Sequence, residues 1–278
     1  MASDIVMHRG NSIVQHGHFN NRVYVMKLAP ADIPEIIRFA DDLCVREGYS
    51  KIFVKVPESS VELFSDNGYV TEATVPFFYH GQDTAVFMAK YSDPHRKQVA
   101  NSAAIAEVLS AASGYAQAGY TPRLPEGLSL VRAHAGDEKE IAALYRSVFE
   151  TYPFPIFDPE FITKSMKGDV RYFCVCRSQR IVAMASCEVN ADAQNAEMTD
   201  FATDPQFQGK GLAGNLLYAM ENDVKKEDIR LTYTIARALS YPINMTFARA
   251  GYKYAGMLPN NTNIGGAMES MNVWYRKL

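Results

Sequence analysis

The hydrophobic positions along the chain form short runs and helical stripes that alternate from Asn21 onwards. Runs rich in Val, Ile and Phe predict strands, and apolar residues three or four positions apart predict helices. The first unit is predicted to contain strands at 23–28, 51–56, 71–79 and 84–91 and helices at 32–47 and 59–67. His80-Gly-Gln-Asp83 has the composition of a hairpin turn between the last two strands. The unit therefore begins in strand, helix, strand order.

A similar order returns near the end of the chain. After Leu128, strands are predicted at 170–176, 181–189, 197–203 and 230–236, helices at 137–149 and 210–225, and a last helix ends at Gly251 before two closing strands. Phe64-Ser-Asp-Asn-Gly-Tyr69 lines up with Phe247-Ala-Arg-Ala-Gly-Tyr252. We interpret this as a weak internal repeat. The alternative is that any αβ unit ending in a glycine C-cap gives the same pattern.

The two units are separated by a segment of different composition. Residues 97–118 are rich in Ala, Ser and Gln with apolar residues at helical spacing, and Thr121-Pro-Arg-Leu-Pro-Glu-Gly127 interrupts that pattern. We predict an αβ domain at 1–96, a helical linker at 97–127 and a second αβ domain at 128–278. The fold class is α/β, with α+β character and a mixed sheet.

Composition favours a small-molecule enzyme. The 278 residues are 47% hydrophobic, enough for two modest cores, and 28 Lys and Arg against 31 Asp and Glu give a net charge of −3. Without a basic excess, neither nucleic acid nor an anionic membrane is an expected partner. The four cysteines lack C-x-x-C spacing and are interpreted as reduced core thiols.

The amino-terminal segment MASDIVMHRGNSIVQHGHFNNR lacks the apolar region of a signal peptide, and no run reaches the length of a membrane span. We therefore expect a cytoplasmic protein. His16 and His18 flank a glycine, but no cysteine or carboxylate accompanies them, so no metal site is predicted. A solvated, polar amino terminus is the expectation.

A glycine-rich loop follows the predicted strand at 197–203. Gly209 and Gly211 remove side chains directly before a helix with one apolar face, and backbone N–H groups at a helix amino terminus bind phosphate. The run Gly209-Lys-Gly-Leu-Ala-Gly214 also satisfies the dinucleotide pattern G-x-G-x-x-G. A dinucleotide fold would place an acidic residue at the end of the next strand, which here ends in Ala236-Arg237. Too few elements follow the loop for that fold.

The loop instead resembles the Q/R-x-x-G-x-G/A signature of the GNAT acetyltransferases, matched by Gln206, Gly209 and Gly211. The element order of 128–278 fits that fold, and the first unit then looks like a smaller, degenerate GNAT-like domain. The resemblance implies that acetyl-CoA binds with its pantetheine arm along 201–203 and its pyrophosphate at 208–213. The implied acetyl-CoA-binding residues are Phe201, Ala202, Thr203, Gln208, Gly209, Lys210, Gly211, Leu212, Ala213, Ser240 and Asn244.

Acetyl transfer requires a neutral amine, and a lysine-like ammonium has a pKa of about 10.4 in water. Glu197 stands where several GNAT enzymes place a general base, and Asp200 is the rival. In a regular strand these two residues point to opposite faces, so both reach one cleft only if a β-bulge intervenes. The tyrosine that protonates the thiolate in many relatives is replaced by Phe247, which leaves Tyr241, Tyr252 or water as the acid.

Longer segments are similar to the β-lysine N-acetyltransferase family of bacteria and archaea. The resemblance rests on Tyr152-Pro-Phe-Pro-Ile-Phe-Asp-Pro159, Glu197-Met-Thr-Asp-Phe-Ala-Thr203, Tyr233-Thr-Ile-Ala-Arg-Ala238, Lys51-Ile-Phe-Val-Lys-Val-Pro-Glu58 and the segment 251–278. It implies acetylation of the terminal amine of β-lysine, the product of lysine 2,3-aminomutase, to give Nε-acetyl-β-lysine as a compatible solute. Candidate substrate-binding residues are Tyr152, Phe154, Asp200, Arg237, Asn261 and Glu269.

Two other functions stay open at this point. One is a GNAT enzyme that acetylates a polyamine, α-lysine or a protein lysine, and the other is an acyl-CoA-binding protein without catalysis. The sequence also leaves open whether the chain forms a homodimer and whether the first domain contributes to the active site.

Overall fold

A computed structural model describes residues 4–115 and 122–278. The first half contains six strands and two helices, followed by a third helix. Its elements are β1 (Ile5–Arg9), β2 (Ser12–Gly17), β3 (Arg22–Lys27), α1 (Glu35–Glu47), β4 (Lys51–Pro57), α2 (Val61–Asp66), β5 (Val70–Tyr79), β6 (Asp83–Tyr91) and α3 (Ser102–Ser113).

The second half contains seven strands and four helices. Its elements are β7 (Ser129–Arg132), α4 (Glu138–Val148), α5 (Pro159–Met166), β8 (Val170–Arg177), β9 (Arg180–Asn190), β10 (Asn195–Thr203), α6 (Leu212–Val224), β11 (Leu231–Arg237), α7 (Tyr241–Arg249), β12 (Lys253–Ile264) and β13 (Ala267–Lys277). None of the described helices combines the length and apolar character needed to cross a bilayer.

All described strands belong to one mixed sheet in the order β1-β2-β3-β4-β6-β5-β12-β13-β11-β10-β9-β8-β7. The order is nearly mirrored about the β5–β12 junction, because β4-β6-β5 corresponds to β11-β13-β12. Each half has one parallel pair, β3 with β4 and β10 with β11. The predicted internal repeat is thus present as a repeated topology, and the α/β fold class with one mixed sheet is confirmed.

The repeated glycine–tyrosine segments have the same geometry in both halves. The Tyr69 N–H donates to the Phe64 carbonyl at 3.1 Å, and the Tyr252 N–H donates to the Phe247 carbonyl at 3.1 Å. The intervening glycines have φ values of +84° and +82°. In each pair the rings meet edge to face, with centroids 5.1 and 4.9 Å apart. Glycine is needed here because a left-handed residue ends the helix and returns the aromatic ring to the core.

The two halves share a hydrophobic core where their sheet faces meet. Tyr24, Phe53 and Phe87 of the first half pack with Tyr233 and Val273 of the second half in one buried cluster. A hydrophobic interface of this kind holds two domains in a fixed relation, since separating them would expose its apolar surface to water. The first half therefore stays packed against β11 and β13 of the second half.

The amino terminus differs from the expectation of a solvated segment. Strands β1 and β2 form a hairpin, and β2 pairs with β3 at the edge of the sheet. Val14 is fully buried and Gln15 nearly so. His16 Nδ1 lies 3.1 Å from the hydroxyl oxygen of Tyr49, and the described residues contain no group of three or more potential metal ligands. The prediction of a solvated amino terminus was wrong because pairing with β3 buries β2, a strand whose own sequence is mostly polar.

The linker helix starts later than predicted, at Ser102 rather than at residue 97. It packs on the second half, where Ala112 joins the core around α6 and Tyr115 lies under the guanidinium of Arg249, 4.2 Å from ring centroid to Cζ. Residues 116–121, which include the end of the predicted helix and Thr121 of the predicted boundary, lie outside the described residues. All four cysteines are unpaired, and Cys176 alone among them is partly exposed.

Candidate active site

The parallel strands β10 and β11 are hydrogen-bonded to each other only at one end. Residues 195–197 pair with 231–233, whereas β10 continues to Thr203 and β11 to Arg237. The strands therefore diverge, and a cavity of about 1860 Å³ extends along the gap between them. Backbone groups that face such a gap are available to an extended ligand with amide groups of its own.

A β-bulge brings two carboxylates of β10 to the same cavity. The register with β9 shifts between Thr199 and Ala202, and Asp200 has a φ of +55°. The bulge breaks the alternation of side chains, so Glu197 and Asp200 both line the cavity. Such a bulge was required for both residues to reach one cleft, so both stay candidate bases.

A third carboxylate, which the sequence reasoning missed, completes the cluster. Glu188 of β9 lies directly opposite Glu197 of β10 and lines the same cavity. Burial raises the pKa of Glu188 to about 8, and the nearby Glu197 and Asp200 contribute to that rise. Burial likewise raises the pKa of Glu197, against the opposing effects of Lys55 and Tyr233. The sequence signal for this residue was a single acid within an apolar strand, Cys187-Glu-Val189.

Asp200 is held in place by hydroxyl groups. Ser186 Oγ donates to Asp200 Oδ2 at 2.5 Å, Tyr152 donates a short hydrogen bond to Oδ1, and Thr199 Oγ1 lies 3.4 Å from Oδ1. Burial raises the pKa of Asp200, and these hydrogen bonds oppose the rise. Tyr152 comes from the loop after α4, and Phe154 of the same loop also lines the cavity.

The first half of the chain supplies another charged group. Lys55 of β4 lines the cavity, and its Nζ donates to the hydroxyl of Tyr233 at 3.1 Å. The ammonium lies 5.6 Å from the ring centroid of Tyr24 and 5.4 Å from that of Tyr233. Sequence reasoning also missed Lys55, although a lysine within the apolar strand 51–57 is unusual enough to have been noticed.

The glycine loop opens onto the same cavity. Gly209 and Gly211 have φ values of +75° and +72°, and Gly211 is the N-cap of the 13-residue helix α6. A Cβ on Gly209 would meet no atom within 4 Å, so the loop leaves open space above its backbone. The first N–H groups of a helix have no intrahelical partner and bind anions. These features fit the pyrophosphate of coenzyme A.

Most of the predicted cofactor residues lie at the cavity. Those that line it are Phe201, Thr203, Gln208, Gly209, Gly211, Leu212, Ala213 and Ser240. Ala202 is buried in the core beside α4, and Lys210 is exposed with its ammonium 4.5 Å from the ring centroid of Phe207. The backbone of both residues still belongs to the segment that borders the gap.

Asn244 was predicted to contact the cofactor, but its side-chain amide is already hydrogen-bonded within the protein. Its Nδ2 donates to the carbonyls of Arg237 and Ser240 at 2.9 and 2.7 Å. Its Oδ1 accepts from Asn272 and Trp274, both at 2.9 Å. Asn244 is fully buried and joins α7 to β11 and β13, so the geometry indicates a structural role in the fold.

The tyrosines proposed as proton donors lie in different environments. Tyr241 lines the cavity at its exposed rim, at the first turn of α7. Tyr252 is buried, and its hydroxyl donates to Thr232 Oγ1 at 2.7 Å. Phe247 packs between Phe201 and Tyr252. Of the two tyrosines, the geometry favours Tyr241.

The remaining substrate-binding candidates form polar pairs. Arg237 donates a short hydrogen bond to Glu269, so the two charges neutralise each other, and of this pair Arg237 lines the cavity. Asn261 lines it too, and its carbonyl accepts a short hydrogen bond from Arg22 of the first half. Buried polar atoms without a partner among the described residues include Arg237 Nε, Glu269 Oε2 and Asn261 Oδ1. Of these three residues, Arg237 and Asn261 line the cavity.

Comparison with known proteins shows the family of the chain. Residues 139–252 match the Acetyltransferase (GNAT) family. The chain is 40% identical over 266 residues to the beta-lysine N(6)-acetyltransferase of Methanococcus maripaludis, with 96% of each chain covered. It is 30% identical over 274 residues to the N-acetyltransferase YodP of Bacillus subtilis, again with 96% of each covered. The ribosomal-protein-S18-alanine N-acetyltransferase of Escherichia coli aligns with a TM-score of 0.47 and 15% identity, over 54% of this chain and 93% of that one.

Proposed function

The chain belongs to the β-lysine N-acetyltransferase family of the GNAT superfamily, and on this premise we propose that it acetylates the N6 amine of β-lysine. Acetyl-CoA is the acetyl donor used by the GNAT family. The new C–N bond forms as the thioester C–S bond breaks, and the amine proton and the thiolate must each be accommodated by the enzyme.

The observation that carries the proposal is the convergence of Glu188, Glu197 and Asp200 on one cavity. β-Lysine has two ammonium groups, and an ammonium leaves water readily only where carboxylates receive it. One acid is required as the base for N6, and the others provide a site for the β-ammonium. A monoamine would occupy only one of these two positions.

Glu197 and Asp200 are the proposed bases for the N6 ammonium. Their pKa values are raised by burial, so each carboxylate is a better proton acceptor than in water. Asp200 is more firmly oriented because Ser186 and Tyr152 donate to it. Glu197 belongs to the last pair of the β10–β11 ladder, with Tyr233, where the gap begins.

The acetyl-CoA site is proposed to follow the gap and the glycine loop. Backbone groups of 201–203 receive the pantetheine arm, and the backbone of 208–213 receives the pyrophosphate. Ser240 lies on the opposite side, at the N-cap of α7. Tyr241 at the rim is the proposed proton donor to the thiolate.

We further propose that the product is a compatible solute of the cytoplasm. Acetylation removes one positive charge from a molecule with two ammonium groups and one carboxylate. The product is a net-neutral zwitterion, which accumulates with little effect on ionic strength. Lysine 2,3-aminomutase is the proposed source of the β-lysine. The domain limits of 1–96, 97–127 and 128–278 are also retained as a proposal.

An amine panel tests the proposed acceptor. Purified enzyme with acetyl-CoA is assayed on β-lysine, α-lysine and spermidine by release of the coenzyme A thiol, and NMR identifies the acetylated nitrogen. We expect kcat/KM for β-lysine to exceed the other values by at least about tenfold, with acetylation at N6. Comparable kcat/KM values for spermidine and β-lysine would contradict the assignment and favour the polyamine alternative.

A further inference from the structure

Two lysines of strand β4 lie on the same face but differ in their partners. Lys51 is fully buried, and its Nζ donates to Glu72 Oε1 and Oε2 at 2.9 and 3.0 Å and to the Pro259 carbonyl at 2.9 Å. Lys55, four residues further along, forms no ion pair with any carboxylate in the described part of the chain. Lys51 therefore has its charge balanced by Glu72, whereas Lys55 faces the cavity with no carboxylate of the described residues at ion-pair distance.

The surroundings of Lys55 keep that cation charged and oriented. Burial lowers its pKa, but Tyr233, Tyr24 and Glu197 together raise it well above the ordinary value. The hydrogen bond to the Tyr233 hydroxyl and the two flanking rings fix the side chain against the cavity wall. A cation held in this way is prepared to receive an anionic group from a ligand.

The two other cations of the cavity that are not exposed, Arg22 and Arg237, donate to groups of the protein, although Nε of each has no hydrogen-bond partner among the described residues. Arg237 is neutralised by Glu269. Arg22 donates to the carbonyl of Asn261, to Thr262 Oγ1 at 3.2 Å and to Gln15 Oε1 at 3.4 Å. Arg237, which the sequence suggested as the partner of the substrate carboxylate, is thus less available than Lys55.

The position of Lys55 suits the end of the substrate that is far from the acetyl group. Its partner Tyr233 pairs with Glu197 in the β10–β11 ladder, and Thr203 lies six residues further along β10. At roughly 3.3 Å per residue, Asp200 lies about 10 Å beyond this level, less any shortening at the bulge. That span is comparable with the extended six-carbon chain of β-lysine, so in this arrangement Asp200 is the base for N6 and Glu197 lies near the other end of the substrate.

We propose that Lys55 binds the carboxylate of the amino-acid substrate, so that the first half of the chain selects diamino acids over polyamines. The inference rests on the proposed function, since it assumes an acceptor with a carboxylate at the end opposite to N6. The degenerate first domain would then contribute a specificity residue in place of the phosphate loop it lacks.

The experiment compares β-lysine with its primary amide, in which a neutral group replaces the carboxylate. Wild-type enzyme is expected to have a kcat/KM for the amide about 10- to 100-fold lower than for β-lysine, the effect of one charge-assisted hydrogen bond. K55M should lower kcat/KM for β-lysine by a similar factor, mainly through KM, and leave the amide within about threefold. K55R, which keeps the cation, should retain most of the discrimination.

K90M is the matched control for loss of a strand lysine. Lys90 of β6 is half-buried and pairs with Asp41 of α1 at 2.8 Å, away from the cavity. Its replacement should therefore leave kcat/KM unchanged for both substrates. If K55M does not fold, wild type and K55R still test the proposal through the two substrates.

Three results would overturn the inference, and they are distinguishable. Equal losses in kcat for both substrates in K55M, with a shifted pH profile, would mean that Lys55 acts on Glu197. Equal kcat/KM for β-lysine and its amide in a wild-type enzyme that still prefers β-lysine to spermidine would refute the inference alone. Comparable activity of wild type on spermidine would refute the proposed function together with it.

Discussion

Glu188 and Glu197 lie directly opposite each other on β9 and β10, with both side chains at the wall of the same cavity. Like charges at facing positions of a sheet are destabilising, and burial increases the effect. Strongly perturbed carboxylates of this kind are concentrated at functional sites. The raised pKa of Glu188 relieves this repulsion in the ligand-free protein, because the acid keeps its proton up to a pH of about 8.

The stability of the ligand-free enzyme should therefore fall as the pH rises. The pKa of Glu188 is raised to about 8, so the folded chain keeps a proton there that the unfolded chain loses near its ordinary pKa of about 4.5. Between these two pKa values the unfolded state binds fewer protons than the folded state, so the free energy of unfolding decreases as the pH rises. E188Q removes this contribution, and its melting temperature relative to wild type should be higher at pH 8 than at pH 5.5.

Calorimetry at the two pH values measures this difference. E62Q, which removes an exposed carboxylate on α2, controls for the change in net charge. A melting-temperature difference between E188Q and wild type that is the same at both pH values would contradict the raised pKa. Some pH dependence should persist in E188Q, because the pKa of Glu197 is raised as well.

Replacement of the two candidate bases, Glu197 and Asp200, should show which of them accepts the proton. Loss of a general base lowers the rate by about 100- to 10,000-fold. We expect either E197Q or D200N to show a loss in this range in kcat with unchanged binding of acetyl-CoA, measured by calorimetric titration. The other variant should mainly raise KM for the amine. Full turnover in both variants would exclude both residues as the base.

Tyr241→Phe tests the proposed proton donor. Tyr241 is exposed at the cavity rim, so removal of its hydroxyl should leave folding unaffected. If it protonates the thiolate, kcat should fall by roughly 100-fold or more with little change in KM for acetyl-CoA. Tyr218→Phe, at an exposed position of α6 outside the described cavity lining, is the control. Unchanged kcat would leave water as the donor.

Gly209→Ala should weaken acetyl-CoA binding more than it affects stability. The added Cβ meets no protein atom within 4 Å, but φ is +75° and the Cβ would occupy the space above the loop. We expect a stability loss of about 1 kcal/mol and a KM for acetyl-CoA raised about tenfold or more. Gly127, with φ of +76° and equally open surroundings, is the matched control. An equal KM effect in Gly127→Ala would argue against the phosphate role.

Gly256→Ala should disrupt the junction between the two halves. Gly256 is the residue of β12 that pairs with Ala73 of β5, and a Cβ would lie 2.3 Å from the Glu72 carbonyl. Such overlap with backbone costs about 3 kcal/mol, and separation of the halves removes the wall that carries Lys55. Gly251→Ala, at a φ of +82° and with no atom within 4 Å of the added Cβ, should cost about 1 kcal/mol. Equal melting temperatures for the two variants would contradict this account.

Much of the fold could be read along the chain because it depends on local patterns. The hydrophobic periods predicted the helices and strands after Asn21, and the glycine–tyrosine pairs indicated the repeat. The amino-terminal hairpin was missed, since the burial of Val14 comes from pairing with β3 rather than from a pattern in its own segment. Asn244 looked like a ligand-binding residue, but its partners Asn272 and Trp274 belong to a distant strand.

The sequence by itself determined the strand, glycine loop and helix that fit coenzyme A, and it identified Glu197 and Asp200, because these features lie within one short segment. Only the tertiary structure decided that a bulge turns both acids to one cavity, that Glu188 faces Glu197, and that Lys55 arrives from the first half. Electrostatic interactions depend on separation in space and on burial, and neither is encoded in the spacing of residues along a chain. Lys55 is 178 positions from its hydrogen-bond partner Tyr233 along the chain, and the packing of the two halves brings the two residues together.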